Sequence, residues 1–288
     1  MDIYYVDCVN SNLLEKHDKF GNLPFRIQKI VLNPQNKITN EIINESKKRF
    51  KKINFNSVDS SGKIRNEDEK RYKSFCGLII EQLAYELLTH YNNKDNVRIV
   101  LDDSTKSIDQ IDLTIEKSWK DSGGEWKTKT YNVEIRASFP ICPIEKSVSN
   151  NFDILGPYTN NTKQVEKNKD FYIRFLICLD YKNNEKFVIK GRNNKISYSE
   201  SSTNLLKSCY FDEFLNLKQN LTIYFVGGAT NSMMNDESIA YNGYMNSNYF
   251  NKNKEGKFKK IKLRNSLDCI SIMRLMLNVI TDETSIEK

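Results

Sequence analysis

The chain has 288 residues, of which 39% are hydrophobic and 28% charged, and its formal net charge is +7. This composition is typical of a folded globular protein and argues against a disordered chain. No apolar stretch approaches the length of a membrane span, and the first residues lack the basic region and apolar core of a signal peptide. We therefore expect a cytoplasmic protein without a membrane partner.

The number and spacing of the cysteines and histidines limit which kinds of site the chain can form. The six cysteines are scattered, without close pairs, at positions 8, 76, 142, 178, 209 and 269. Reduced thiols are expected rather than disulfides or zinc ligands. Since His17 and His90 are the only histidines, we do not expect catalysis that depends on histidine. The sequence contains no P-loop and no dinucleotide fingerprint, so we expect no organic cofactor.

We divide the chain into an N-terminal extension, a core and a C-terminal elaboration of the same globular unit, at residues 1–66, 67–181 and 182–288. In the extension, apolar spacing up to Phe50 and Ile53 predicts a helix that Thr39 or Asn40 caps. The core then begins with a long apolar helix of about residues 67–91.

After a short strand at residues 97–101, two strand-like runs alternate acidic and branched apolar side chains. Asp112 lies in the first run and Glu134 in the second. The turn signal between them is centred on Gly123. In a symmetric antiparallel hairpin the paired residue numbers then sum to 246, so Asp112 faces Glu134. Arg136 shares their face, and the apolar residues of both runs lie on the other face.

Two facing carboxylates repel each other unless a cation, a proton or an arginine lies between them. Carboxylate oxygens suit Mg²⁺, which proteins usually hold with one or two carboxylates together with water and substrate phosphates. The pair therefore predicts a Mg²⁺ site and phosphodiester chemistry. The alternative is a solvated face on which Asp112 and Glu134 pair with Arg136 and nearby lysines.

The order of Asp112, a hairpin and Glu134-Ile135-Arg136 resembles the PD-(D/E)xK nuclease superfamily, which includes many type II restriction endonucleases. The helical run from Phe75 to Leu88 resembles the first core helix of that family. This helix often carries a glutamate near the metal, and Glu81 is the matching residue here. The resemblance covers roughly residues 67 to 181, and Arg136 stands where the family usually has lysine.

This resemblance implies an α/β fold of the α+β kind, with a restriction-endonuclease-like core in which helices flank a mixed central sheet. Asp112, Glu134 and the Ile135 carbonyl would hold one or two Mg²⁺ ions, for which Mn²⁺ could substitute. Glu81 would assist from the helix, unless it is an exposed residue between buried neighbours. Because arginine keeps its charge, Arg136 would orient a water or stabilise developing charge but would not act as a general base.

Downstream of the hairpin, the sequence predicts a loop-rich region around Gly156-Pro157 that could contact substrate. A short helix is expected over residues 161–169. The nearly continuous apolar run from Phe171 to Leu179 predicts a strand that is buried on both faces. Together with the preceding elements, this gives the order helix, three strands, helix, strand, which matches the common core of the family.

Two further elements are predicted in the C-terminal elaboration. Leu221 to Val226 forms a strand that ends at Gly227-Gly228, and these glycines either terminate the strand or let the backbone approach a phosphate. An amphipathic helix follows from Leu267 to Leu277, with Asn265 or Ser266 as its cap.

Two basic runs suggest contact with nucleic acid. The first contains Lys47, Lys48 and Arg49, and the second contains Lys257, Lys259, Lys260 and Lys262. Lysines are point charges without the planar fork that reads guanine, so the second run predicts contacts to the phosphate backbone rather than to bases. Each run could instead be a solvated face of a lysine-rich chain.

The resemblance implies double-stranded DNA as the substrate and a homodimer, since many relatives cut both strands as dimers. The apolar face of the C-terminal helix is the candidate interface. The expected function is that of a Mg²⁺-dependent DNA endonuclease similar to type II restriction endonucleases. Two alternatives stay open: a nuclease of repair, recombination or phage biology, and a nucleic-acid-binding module of this fold without catalysis.

Overall fold

The computed structural model describes residues 1–8, 25–53, 67–102, 111–138, 153–159, 166–179, 190–192, 195–197, 221–244 and 257–278. Its strands are β1 (Asp2–Cys8), β2 (Phe25–Leu32), β3 (Val97–Leu101), β4 (Leu113–Lys120), β5 (Trp126–Ser138), β6 (Asp153–Thr159), β7 (Phe171–Leu179), β8 (Lys190–Arg192), β9 (Lys195–Ser197), β10 (Leu221–Thr230), β11 (Ala240–Tyr244) and β12 (Lys257–Lys262). Its helices are α1 (Lys37–Phe50), α2 (Glu67–Tyr91), α3 (Asn231–Asn235) and α4 (Cys269–Asn278).

Seven strands form a mixed central sheet in the order β1-β2-β10-β7-β5-β4-β3. Neighbouring strands are antiparallel except for β5 and β7, which run parallel. The predicted N-terminal extension, core and C-terminal elaboration all contribute strands to this sheet. The expected α+β class is therefore confirmed at the level of a mixed sheet with helices.

Helices α1, α2 and α4 cover one face of the central sheet. Ile42, Phe75 and Ile272 from these helices are buried in one cluster with sheet residues such as Ile135. Ile272 and Met276 on the apolar face of α4 are almost fully buried in this packing. These side chains are therefore not free to form the predicted dimer interface, and the homodimer itself stays a prediction.

A second antiparallel sheet, in the order β11-β12-β6, covers the opposite face of the central sheet. Ile154 of β6 and Ile261 of β12 are buried against Tyr172 and Leu176 of the central sheet. We call this three-stranded layer the small sheet. The described residues therefore form three layers, and the polar side chains considered below lie mostly between the two sheets.

The region around Gly156 and Pro157 is a strand of the small sheet and not the predicted loop. Proline is tolerated here because β6 is an edge strand and its register to β12 shifts between Phe258 and Lys260. A Cβ on Gly156 would lie 2.6 Å from the sulfur of Met234, so the glycine permits close packing of α3. Of the helix predicted over residues 161–169, residues 166–169 are not helical, and residues 160–165 lie outside the described residues.

Both predicted helix caps are displaced. The Asn36 side chain caps α1, and the predicted cap Thr39 is buried within the helix. At α4 the Asp268 carboxylate accepts a backbone N–H of the first turn, in place of the predicted Asn265 or Ser266. Several capping residues lie within one turn of each helix start, and the apolar pattern alone does not choose among them.

Strand β10 continues through both glycines to Thr230, whereas the sequence predicted that it ends there. Gly227 has a φ of +136° at a shift in the register to β7. A Cβ on Gly227 would overlap the carbonyl oxygen of Leu267, and Gly228 exchanges two backbone hydrogen bonds with Leu267. The glycines thus provide a close backbone contact that positions the start of α4, and this contact occupies the space a phosphate would need.

No helix in the described part of the chain is long and apolar enough to cross a membrane.

Replacing Gly227 with alanine should lower the free energy of unfolding by about 3 kcal/mol or more, because the methyl group meets both an unfavourable φ and the Leu267 carbonyl. Gly124→Ala is the matched control, since Gly124 has a φ of +80° but no atom within 4 Å of the added methyl group. It should cost only about 1–2 kcal/mol. Urea denaturation measures both values, and equal costs would show that the Leu267 contact is unimportant.

Candidate acidic site between the two sheets

The β4–β5 hairpin has the register that the sequence predicted. Leu113 pairs with Val133, and every pair down to Lys120 and Trp126 has residue numbers that sum to 246. Asp112 lies one residue before β4, and its Oδ2 accepts the backbone N–H of Ile135 at 2.6 Å. The Asp112 carboxylate is therefore attached to the neighbouring strand beside Glu134.

The turn explains why this register is fixed. Gly124 has a φ of +80°, as expected for the last residue of a three-residue hairpin loop. The Asp121 carboxylate accepts the N–H groups of Gly123 and Glu125 at 2.9 and 3.0 Å. A turn closed in this way does not slip by one residue, and a one-residue slip would send Asp112 and Glu134 to opposite faces.

Alternation along the two strands separates apolar from acidic side chains. Leu113, Ile115 and Val133 are buried against the helices. Asp112 and Glu134 are also buried, at 8% and 4% exposure. We call Asp112, Glu134, Arg136 and Glu166 the acidic site. The alternative of a solvated acidic face is wrong in its exposure, because both carboxylates are shielded from solvent, but the pairing of Glu134 with Arg136 that it included is observed.

Burial makes the ionised carboxylates of this site unfavourable. Burial raises the pKa of Asp112 well above its ordinary value, and the nearby charges of Glu134 and Glu81 raise it further. Burial likewise raises the pKa of Glu134 to about 7, although Arg136 opposes this shift. Oε2 of Glu134 is buried and has no hydrogen-bond partner among the described residues. At neutral pH the pair therefore needs a shared proton or a cation.

Arg136 bridges two carboxylates of the acidic site. One terminal nitrogen lies 2.9 Å from an oxygen of Glu134 and 2.9 Å from an oxygen of Glu166. The Glu166 carboxylate also accepts the Tyr158 N–H of β6, and the guanidinium lies 5.8 Å from the ring centre of Phe258 on β12. Burial opposes the positive charge, but the surrounding carboxylates more than compensate and the pKa of Arg136 is raised. Arg136 stays charged and cannot accept a proton.

Glu81 approaches from the helix layer, where it has a partner that the sequence did not suggest. Arg49 of α1 donates to Glu81 Oε2 at 2.6 Å and to the carbonyl of Asp102 at 3.0 Å. Burial raises the pKa of Glu81, and the charge of Arg49 opposes this. Since Arg49 is 5% exposed, it does not belong to a basic surface with Lys47 and Lys48, and its assignment as a nucleic-acid contact needs revision.

The second basic run is divided in the same way. Lys257 is exposed, and Lys259 and Lys262 are half-buried, so these three remain candidates for phosphate contact. Lys260 is 6% exposed, and its amine lies 3.5 Å from Asp153 Oδ2. Because Lys260 is buried and paired with Asp153, it cannot act as one of a row of surface charges.

A second buried polar group adjoins the acidic site, and sequence reasoning missed it. Arg174 of β7 lies opposite Arg136 in the parallel register, and it donates to the Asp153 carbonyl and to Ser138 Oγ. Burial lowers the pKa of Arg174 to about 9, although Asp153 opposes this shift. Tyr241 donates its hydroxyl to Asp153 at 2.6 Å. The only sequence signal was a single arginine inside an otherwise apolar strand.

The predicted metal ligands fit a site that uses two carboxylates but not an all-protein cage. In the described ranges, no three acidic, histidine or cysteine side chains are grouped to hold a metal ion. Mg²⁺ is commonly held by one or two carboxylates, with water and substrate phosphates as the remaining ligands. The shielded Glu134 Oε2 without a hydrogen-bond partner is the atom that such an ion would satisfy.

The chain is similar to a protein of Methanocaldococcus jannaschii that is described as uncharacterized. The two are 29% identical over 198 residues, which are 66% of this chain and 67% of the relative. No protein-family model matches the chain. No solved structure matches it either.

Without metal, the raised pKa of Glu134 should make stability depend on pH. Between its ordinary pKa of 4.5 and about 7, the folded protein holds a proton that the unfolded chain has lost. The free energy of unfolding should therefore fall as pH rises through this range, by on the order of 1–3 kcal/mol. Glu134→Gln, which imitates the protonated form, should make this slope shallower in denaturation measured with EDTA, and Asp112 and Glu81, whose pKa values burial also raises, should account for the remainder. Glu125→Gln at the exposed turn should keep the slope, and a wild-type slope in Glu134→Gln would contradict the assignment.

A double-mutant cycle tests whether Arg49 is structural. Arg49→Leu and Glu81→Leu should each cost about 3 kcal/mol, because either leaves a buried charge without its partner, and the double variant should cost less than their sum. The exposed Lys48–Glu45 pair on the same helix is the control and should couple by less than about 1 kcal/mol. Wild-type stability in Arg49→Leu, together with weaker DNA binding, would restore the assignment as a phosphate contact.

Proposed function

We propose that the protein is a Mg²⁺-dependent endonuclease that hydrolyses DNA phosphodiester bonds and is related to type II restriction endonucleases. The observation that carries this proposal is the pair of buried carboxylates, Asp112 and Glu134, fixed on adjacent strands with one oxygen lacking a hydrogen-bond partner. A buried, charge-coupled pair of this kind is costly to stability, and such costs are concentrated at functional sites.

The order of the elements supports the finer fold within this proposal. Helix α2 is followed by the antiparallel strands β3, β4 and β5, and β7 then lies parallel to β5. These are the helix and four strands that the resemblance implies. In the described residues, β6 intervenes between β5 and β7, and the helix expected there is not seen.

In the proposed reaction a bound Mg²⁺ would lower the pKa of a water molecule and neutralise charge on the phosphate. Asp112 and Glu134 would hold this ion, and the N–H of Ile135 fixes the orientation of Asp112. Arg136 binds phosphate oxygen or stabilises developing negative charge from its place beside Glu134. Glu81 is a positioning residue, because its carboxylate is held by Arg49 and adds negative potential at Asp112.

One observation favours a second candidate, a nucleic-acid-binding module of this fold without catalysis. Arg136 already neutralises part of the charge on Glu134 and Glu166, as a structural ion pair would. In that case the arginine replaces the metal. A binding module would retain its affinity for DNA in EDTA and would never nick plasmid.

Supercoiled plasmid incubated with Mg²⁺ tests the function. Asp112→Asn and Glu134→Gln should each abolish Mg²⁺-dependent nicking, while the circular dichroism spectrum stays unchanged. Arg136→Lys should keep a measurable rate, whereas Arg136→Ala should lose on the order of 10²-fold or more, as expected for loss of a charge contact in the transition state. Glu125→Gln at the exposed turn is the control and should cut at the wild-type rate.

The products distinguish the remaining possibilities. Discrete fragments from bacteriophage DNA indicate sequence-specific cleavage, and a smear indicates a nuclease of another kind. Cleavage that persists in EDTA would contradict the metal proposal. Equal rates for wild type and Arg136→Ala would remove Arg136 from the mechanism.

A further inference from the structure

The outer half of the β4–β5 hairpin is a two-stranded ribbon. Strand β3 pairs with residues 113–117 of β4, and β7 pairs with residues 133–138 of β5. Residues 118–128 pair with each other and with no third strand among those described. We call residues 118–128 the ribbon. An isolated ribbon of this kind is marginally stable by itself and exposes both of its faces.

Both tryptophans of the chain lie on this ribbon. Trp119 is 38% exposed and Trp126 is 66% exposed. Trp119 pairs with Lys127, and the next pair is Lys120 with Trp126, so strand alternation places the two indoles on opposite faces. Neither ring is needed for the core. Large aromatic side chains exposed on a projecting element are typical of an interaction surface.

Lysines accompany the exposed aromatic rings. The Lys117 amine lies 5.6 Å from the ring centre of Trp119, and the Lys120 amine lies 5.4 Å from that of Trp126. At the base of the ribbon, the Lys129 amine lies 5.0 Å from the ring centre of Tyr131. Each face therefore presents a ring and a positive charge together, which suits a partner with both apolar surface and phosphates.

Within residues 118–128 the two acidic residues of the turn balance two lysines, and Lys117 and Lys129 at the base of the ribbon bring the net charge of residues 117–129 to +2. The Asp121 carboxylate is used in closing the turn, as described above. Lys127 lies 3.0 Å from Glu125 and 3.5 Å from Asp121, which compensates part of their charge. A charged turn of this kind would be costly inside a lipid bilayer, so the ribbon does not suit a membrane.

We propose that the ribbon inserts into a groove of duplex DNA. A groove has two walls of sugars and phosphates, and a ribbon with an aromatic ring and a lysine on each face can set a ring against the sugars and a lysine against the phosphates of both walls. The major groove of B-DNA is about 12 Å wide and admits a two-stranded ribbon.

The ribbon is continuous with the acidic site, and this inference rests on the proposed function for the identity of its substrate. Trp126 lies eight positions before Glu134 on β5, which corresponds to about 26 Å along an extended strand. The ribbon would thus contact the duplex at up to about 26 Å from the phosphate at the acidic site.

Intrinsic fluorescence tests the inference directly, because both tryptophans report on the ribbon. A fluorescein-labelled duplex of about 30 base pairs is titrated with Ca²⁺ in place of Mg²⁺, which supplies a cation to the acidic site for binding without Mg²⁺-dependent cleavage. Anisotropy measures binding, and iodide quenching measures exposure of the indoles. Trp119→Phe and Trp126→Phe isolate each face. Both single-tryptophan proteins should become protected from iodide when the duplex binds. Trp126→Ala should raise the Kd on the order of tenfold, and Ile38→Ala, an exposed apolar residue on α1, should not.

The outcomes separate this inference from the proposed function. Duplex binding that leaves both indoles quenchable overturns the ribbon inference, even if wild type cuts plasmid. Protection by a single-stranded oligonucleotide alone, protection of one face alone, or a response to anionic phosphatidylserine vesicles alone also overturns it, as does failure to bind the duplex. Protection of both indoles by the duplex in a protein that never nicks plasmid supports the ribbon and contradicts the nuclease proposal.

Discussion

The structure depends on a costly constraint, which is the burial of two carboxylates side by side on adjacent strands. Asp112 and Glu134 are shielded from solvent, burial raises the pKa of both, and the charge of Glu134 raises the pKa of Asp112 further. Such a pair survives only because the surrounding elements compensate for it. The N–H of Ile135 reaches Asp112, and Arg136 reaches Glu134. The layers around the hairpin supply the rest of this compensation.

These compensating contacts come from distant parts of the chain. Glu166 precedes β7 and holds the other side of Arg136, while its oxygen is also fixed by the β6 backbone. Arg49 of α1 neutralises Glu81 at the helix side. The small sheet closes the site through Phe258. The site therefore depends on the whole fold, because removing any layer would expose the same carboxylates to solvent or leave their charge without a partner.

Local sequence signals were sufficient to predict the hairpin, but they could not predict contacts between distant parts of the chain. The turn glycines and period-two alternation fixed the pairing of Asp112 with Glu134, because both effects act within about 25 residues. The Arg49–Glu81 pair spans 32 residues, and the Tyr241–Asp153 bond spans 88. No local sequence pattern indicates either of these contacts. A lysine run reads as a charged surface in sequence, whereas Lys260 is buried because β12 pairs with β6.

The charge balance around Glu134 connects the fold to the proposed chemistry. The site holds three negative charges when its carboxylates are ionised, on Asp112, Glu134 and Glu166. Two positive charges lie beside them, on Arg136 and on the buried Lys169. The ionised site therefore keeps a net negative charge, which would repel a phosphodiester. One divalent cation would change the sign of that balance to positive and make the site attractive to phosphate. Because Arg136 cannot be deprotonated, its charge is constant. Occupancy by a cation or a proton would then decide whether this site accepts an anionic substrate.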